Sequence, residues 1–306
     1  GGGQARPGYD RRVEPLVGLD TSPLRGRKIA LDPGHGGRFP GSVGVGGLTE
    51  AEVNLGVALH LWGLLTDAGA QVVMTRTADK DFTTPADSSL RSDLAARVAK
   101  ANAFDPDVFL SIHHNADAGA RHDLNETQTY YKFTDPEASW DLGQVLHRHL
   151  ALNLGVGADR LLPGNYFVVR NAVGAAALGE SSYLTNPDVE ARLALAAKQR
   201  LEAEAYFLGL VDYFRQGVPR ITAMRVDPIT TVSDPLDGNE RPWIVAVTDR
   251  APGTARLLLD GAPVDSASIE RLPASAAGTW TVRARPAQPL TDGLHRVDWA
   301  VRAAGG

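Results

Sequence analysis

Lys28-Ile29-Ala30-Leu31-Asp32-Pro33-Gly34-His35-Gly36-Gly37 is a short apolar strand that runs out onto a histidine. Pro33 and Gly34 stop the strand, and glycines on both sides of His35 let other groups approach its imidazole closely. Outward from this point strands and helices alternate. Gln71-Val72-Val73-Met74-Thr75 is a second apolar, β-branched run of strand length. Between the two, residues 50–68 place Val53, Leu55, Ala58, Leu59, Trp62 and Leu65 on one helical stripe. Residues 90–103 follow as a helix and 107–112 as a strand. Residues 127–133 alternate like a strand, 136–153 and 187–214 have helical patterns, and 175–179 fit a small buried strand. This order predicts an α/β fold, a mostly parallel sheet flanked by helices.

The chain has 306 residues, enough for two domains with ordinary cores. Hydrophobic content of 43% and charged content of 22% are those of a globular protein. A net charge of -5 gives no support for nucleic-acid binding or a polybasic membrane contact. With no cysteine, thiolate chemistry, cysteine zinc sites and disulfides are excluded. No apolar run reaches transmembrane length. No signal peptide is visible, and Gly1-Gly2-Gly3 without a starting Met suggests a trimmed mature form.

Residues 1–26, rich in Gly, Pro and Arg, are expected to form an irregular leader, and residues 27–217 the catalytic domain. The texture changes after Gly217-Val218-Pro219. Short alternating runs at 243–247, 255–259, 280–284 and 295–301, with turns at Asp237-Gly238, Asp260-Gly261 and Asp292-Gly293, predict a small all-β sandwich over 218–306.

Four polar residues could carry chemistry. His35 and His113 each leave a strand at the edge of the sheet where ligands bind, and neutral imidazole is the commonest zinc ligand. Either one alone reads more readily as a satisfied core histidine; two at one edge point to a shared ion. Thr49-Glu50-Ala51-Glu52 has capping-box spacing, so Glu52 folds back on Thr49 and leaves the Glu50 carboxylate facing the preceding glycine-rich loop. Glu50 could otherwise simply complement the helix dipole. As a third ligand it would leave zinc an open coordination position. Glu180 ends the apolar run Ala175-Ala176-Ala177-Leu178-Gly179, where desolvation raises a carboxylate pKa toward that of a general base; a structural ion pair is the other option. Such a base would take a proton from zinc-bound water and deliver it to a leaving amine. His114 should point away from His113, lining substrate or supporting the ligands, and Asn115 could orient the site. Arg170 is the one nearby cation able to hold a substrate carboxylate.

At these residues the chain resembles the zinc-dependent N-acetylmuramoyl-L-alanine amidases of the type called amidase 3. The matching pieces are Leu31 to Gly37; Glu50 with Asn54 and Leu55; Ser111-Ile112-His113-His114-Asn115-Ala116; Gln128-Thr129-Tyr130-Tyr131; and Gly179-Glu180-Ser181-Ser182-Tyr183-Leu184-Thr185-Asn186. They fall in the family's order and cover about residues 27–215. The resemblance implies an amidase/phosphorylase-hydrolase-like sheet and one zinc ion on His35, Glu50 and His113, with Glu180 as the catalytic glutamate. It also implies the substrate, the amide between N-acetylmuramic acid and the L-alanine of the peptidoglycan stem peptide.

Similar division amidases often carry a blocking helix after the second histidine motif. Here only residues 117–127 separate that motif from the next strand, so the site is expected to be open without an obligatory activator. Ser181 and Ser182 are expected to leave space near the base. The C-terminal sandwich loosely resembles bacterial immunoglobulin-like modules, whose fold alone fixes no role. A secreted or cell-envelope monomer is expected, in the periplasm or cell wall. The alternatives are a zinc peptidase acting on stem peptides, which Arg170 would favour, and a wall-binding protein without activity.

Overall fold

The computed structural model of the chain describes residues 14–119, 122–135, 138–156, 159–217, 219, 221–227, 241–274, 278–291 and 293–302. Residues 1–13 of the expected leader, the Asp237-Gly238 turn and Asp292 lie outside them. The chain divides into two compact units, one ending at Arg215 and one beginning at Gln216.

The first unit is built on a six-stranded sheet: β1 (Lys28–Pro33), β2 (Gln71–Met74), β3 (Val108–Asn115), β4 (Thr127–Lys132), β5 (Asp159–Gly164) and β6 (Ala175–Tyr183). Its order is β2-β1-β3-β6-β4-β5. All neighbouring pairs are parallel except β4 against β6. Helices α1 (Glu50–Asp67), α2 (Leu90–Ala103), α3 (Ala138–Leu154), α4 (Phe167–Asn171), α5 (Pro187–Leu193) and α6 (Ala196–Gln216) connect and cover it. Ala30, Phe109 and Ala176 are register partners on three adjacent strands. They pack with Val98 and Ala101 of α2 and Val168 and Val169 of α4 as one buried cluster. Burial of that face stabilises by roughly 25 cal/mol per Å² of apolar surface removed from water.

Three sequence expectations shift. The buried face of α1 is Glu50, Val53, Asn54, Val57, Ala58, Leu61 and Leu65, whereas Leu59 and Trp62 are more than 40% exposed. The helix is rotated because Glu50 and Asn54, one turn apart, face inward. The helix expected over 187–214 is two: Asn186 caps α5 through the amides of Asp188 and Val189, and the Gln199 side chain donates to the Leu193 carbonyl where α5 ends. No Gly or Pro marks that break. β6 continues past Gly179, so Glu180 lies within a strand rather than after one.

The second unit holds two antiparallel sheets. One is β11 (Glu270–Pro273), β12 (Trp280–Ala284), β8 (Trp243–Thr248) and β7 (Ile221–Asp227); the other is β10 (Ala262–Pro263), β9 (Thr254–Leu259) and β13 (Val297–Arg302). Ile244, Ala284 and Leu257 come from both sheets and share one buried cluster, so the unit is a small sandwich. Asp260 and Gly261 both have positive φ, the requirement of the two-residue hairpin that joins β9 to β10.

Candidate metal centre

His35, Glu50 and His113 converge. One ligand atom from each lies within 4.8 Å of the others, the one group with metal-ligand geometry among the described residues. Glu50 Oε1 is 2.9 Å from His113 Nδ1 and 3.2 Å from His35 Nε2. Its Oε2 accepts the Ser42 amide at 3.0 Å. Thr49 closes the capping box with Glu52, leaving Glu50 free for the site. Burial raises the Glu50 pKa, but hydrogen bonds and charge from the two imidazoles outweigh it and hold the carboxyl far below its ordinary value. Burial lowers the His113 pKa, against the opposing pull of Glu50, which favours the neutral form in which a ring ligates.

The donors sit in a cradle of glycines. A methyl group at Gly34 would overlap the His113 ring, and one at Gly41 would come within 2.6 Å of Glu50 Oε2 and 2.7 Å of the His35 ring. Two imidazole nitrogens and one carboxylate with an open side are the donor set of a catalytic zinc site, so the residues present fit that ion.

His35 adopts a left-handed backbone, φ 64°, which costs roughly 1–2 kcal/mol. Two fully buried arginines hold it there. Arg97 donates to the His35 carbonyl at 2.6 Å and to the Pro33 carbonyl at 2.9 Å. Arg76 donates to the carbonyls of Pro33 at 2.9 Å, Gly34 at 2.8 Å and Ala51 at 2.7 Å. Asp32 and Asp93 neutralise Arg97 at 3.2 and 2.7 Å, and Asp32 also accepts from Thr75 and Ser111. Burial, then the neighbouring Arg97 charge, brings the Arg76 pKa down to about 10, which still leaves it a cation at neutral pH.

Glu180 lies beside this group. It is the register partner of His113 on β6 and borders the same cavity of about 460 Å³. Its Oε2 is buried without a hydrogen-bond partner. Burial, and then the Glu50 charge, push its pKa well above the ordinary value. Leu94, Tyr166, Phe167, Val168 and Leu178 give the cavity an apolar wall. Ser181 and Ser182 do not open space near this acid: both are buried, and the strand pairing slips there by one residue, a bulge that small side chains fit.

The remaining expected residues divide. His114 borders the cavity, yet its imidazole is fully buried on the opposite face of the sheet, between Asn54 and Glu202. Asn115 also borders the cavity and donates to Gln128 at 3.0 Å. Arg170 is exposed, donates to Asn165 at 3.0 Å and is not among the cavity's lining residues. Arg76, Arg97, Asn54, Glu202 and the α4 wall were not picked out as functional from the sequence. For Arg97 and Glu202 the signal was a charged residue inside a helical pattern, and for Asn54 its place in the motif that begins at Glu50.

A buried acid beside two histidines and a carboxylate, at the carboxyl ends of parallel strands, is an arrangement able to serve a hydrolase and to hold a metal ion. Comparison with known proteins agrees with that class. The chain belongs to the N-acetylmuramoyl-L-alanine amidase family, a family of hydrolases whose model matches residues 29–212. N-acetylmuramoyl-L-alanine amidase LytC of Bacillus subtilis strain 168 is 32% identical over 195 residues, 63% of this chain and 37% of that protein. The germination-specific N-acetylmuramoyl-L-alanine amidase of the same organism is 31% identical over 199 residues, 63% of this chain and 82% of that one. The catalytic domain of CwlV from Bacillus (Paenibacillus) polymyxa aligns with a TM-score of 0.54 at 31% identity, covering 62% of this chain and 98% of that domain. The chain thus spans little over a third of the length of LytC. The family match falls within the first unit, and the β sandwich lies outside it.

Proposed function

We propose that the first unit is a zinc-dependent amidase that cuts the bond between N-acetylmuramic acid and L-alanine in peptidoglycan. The observation that carries this is the convergence of His35, Glu50 and His113 beside a buried, unpartnered carboxylate oxygen of Glu180. A zinc ion held by those three residues would supply a Lewis acid for the amide carbonyl and make neighbouring water more acidic. Glu180 has the part of general base: it takes the proton of the attacking water and returns it to the leaving amine nitrogen. Its raised pKa favours holding that proton between the two steps. The apolar wall from Leu94 to Leu178 keeps bulk water from the acid and sustains the shift. Asn115, held by Gln128, is proposed to touch substrate at the rim.

A peptidase that grips a free stem-peptide carboxylate needs a cation at the cavity. No lysine or arginine lines it among the described residues, which favours the amidase reading. Residues 116–119 and 122–126 form turns and irregular segments, with no helix among these described residues, which supports a site open without an activator. No helix among the described residues is long and apolar enough to cross a membrane. The substrate places the protein outside the cell membrane, in the envelope or beyond it. Two antiparallel sheets around a common apolar cluster support an immunoglobulin-like module for the second unit.

The deciding experiment is digestion of purified peptidoglycan by the zinc-loaded protein and by its Glu180→Ala variant, with products identified by mass spectrometry. Free stem peptides beginning with L-alanine, absent with the variant, are expected. Cleavage inside the stem peptide would establish a peptidase instead. No release by the zinc-loaded protein would leave wall binding as its role.

A further inference from the structure

We infer that Glu202, on α6 and behind the sheet, is a positioning residue that orients the Glu50 carboxylate through His114 and Asn54. The inference rests on the reading of Glu50 as a metal ligand. Asn54 fixes the direction of the chain of hydrogen bonds. Its amide nitrogen faces two acceptors, the Gly34 carbonyl at 3.2 Å and Glu50 Oε1 at 3.4 Å. Its amide oxygen therefore faces His114 Nδ1, 2.8 Å away, and Nδ1 has to be the donor. The other ring nitrogen, Nε2, lies 2.8 Å from Glu202 Oε2. A proton held between Nε2 and that carboxylate leaves the Nδ1 hydrogen on the Asn54 side. The side chains of Asn54, His114 and Glu202 are all buried, so no water competes for these bonds. The His114 amide adds a contact to Glu50 Oε1 at 3.3 Å.

The physical consequence follows from the amide's two ends. Without an acid at Nε2, a neutral His114 can keep its hydrogen on Nε2 and present a bare Nδ1. The Asn54 amide would then turn over to donate to the ring. Its oxygen would face Glu50 Oε1 and the Gly34 carbonyl, and three acceptors in one buried spot repel each other. Glu50 would move off the axis it shares with His35 and His113. Partners behind a ligand commonly change metal affinity by about 10–100-fold. Lys198, 3.5 Å from Glu202 Oε1, helps keep the acid ionised in its buried place.

The test measures zinc affinity of the full chain by competition with a chromophoric chelator, with the melting temperature of the metal-free protein as the measure of packing. Glu202→Met keeps the bulk but gives Nε2 no hydrogen-bond partner, so nothing on that side dictates which ring nitrogen carries hydrogen. It should weaken zinc binding about tenfold or more. Asn54→Ala should weaken it similarly, and the double variant no further than Asn54→Ala alone. Unchanged zinc affinity with a lowered melting temperature, or losses that multiply in the double variant, would make Glu202 merely structural and overturn the proposal. Nitrogen NMR of the wild-type ring gives a check independent of any variant: a His114 Nδ1 without hydrogen also overturns it. His35→Ala tests the underlying metal reading separately. If it binds zinc as the wild type does, that reading fails, whatever Glu202 does.

Discussion

His113 and Glu180 stand side by side as register partners on the parallel strands β3 and β6, and both border one cavity. The next residue along β3, His114, turns to the opposite face, as alternation along a strand requires. One strand therefore serves two layers: a candidate ligand toward the cavity and a supporting imidazole toward α6. Sheet register, rather than any loop, sets the spacing between His113 and Glu180. A carboxylate proposed as a base is thus held on a rigid element before substrate arrives.

Glu180→Gln should lose about 10²–10⁴-fold in kcat while keeping one zinc per chain, because the amide cannot take up a proton. Metal analysis beside a peptide-release assay checks both halves. A variant that loses zinc as well would place Glu180 among the ligands.

The raised Glu180 pKa sets the pH dependence. A base works in its ionised form, so kcat/KM should climb with pH through the folded value and stand low at about pH 5–5.5, where an ordinary glutamate of about 4.3 is already mostly ionised. An acid limb at the ordinary value, measured on soluble muropeptides, would show that burial does not govern this carboxylate.

Gly34→Ala tests the cradle. The added methyl overlaps the His113 ring, so His113 must leave its place while the sheet behind it stays intact. Zinc affinity should drop by at least tenfold, the lower end of what disturbing a ligand's support does. Unaltered affinity would mean the loop from Gly34 to Gly37 adjusts freely.

Arg97→Met leaves Asp32 and Asp93 buried without their cation and frees the His35 carbonyl. Breaking a buried pair in this way costs about 3–5 kcal/mol, read by urea unfolding of the metal-free protein. A cost under 1 kcal/mol would show that water reaches the pair.

Asp32 predicts acid sensitivity. Burial raises its pKa, but the Arg97 charge and the Thr75 hydrogen bond outweigh that, so the folded value lies below the unfolded one of about 3.9. The stability it contributes is whole above the unfolded value and is lost as pH falls from there through the folded one. Melting temperatures should drop more steeply below pH 4 for the wild type than for Asp32→Asn. Parallel curves would contradict this.

Much of the site was legible in the sequence because its signals are local. A strand that stops at Pro33-Gly34, the capping-box spacing at Thr49 and Glu52, and an apolar run before Glu180 each occupy a few consecutive residues, and backbone chemistry dictates what such runs can do. The helix expected over 90–103 forms with those bounds for the same reason. The tertiary structure alone decided the rest. β4 runs antiparallel to β6, α1 turns Glu50 and Asn54 inward, and the helix over 187–214 breaks before Ala196 with no breaker in it. Arg97 has one local partner, Asp93, but most of the carbonyls and carboxylates that meet Arg76 and Arg97 in the core lie more than 20 residues away, as with Arg76 and Ala51 or Arg97 and Asp32. Glu202 reaches His114 across 88 residues. A buried charge is favourable or ruinous according to its partner, and no local pattern in a sequence says where that partner will be.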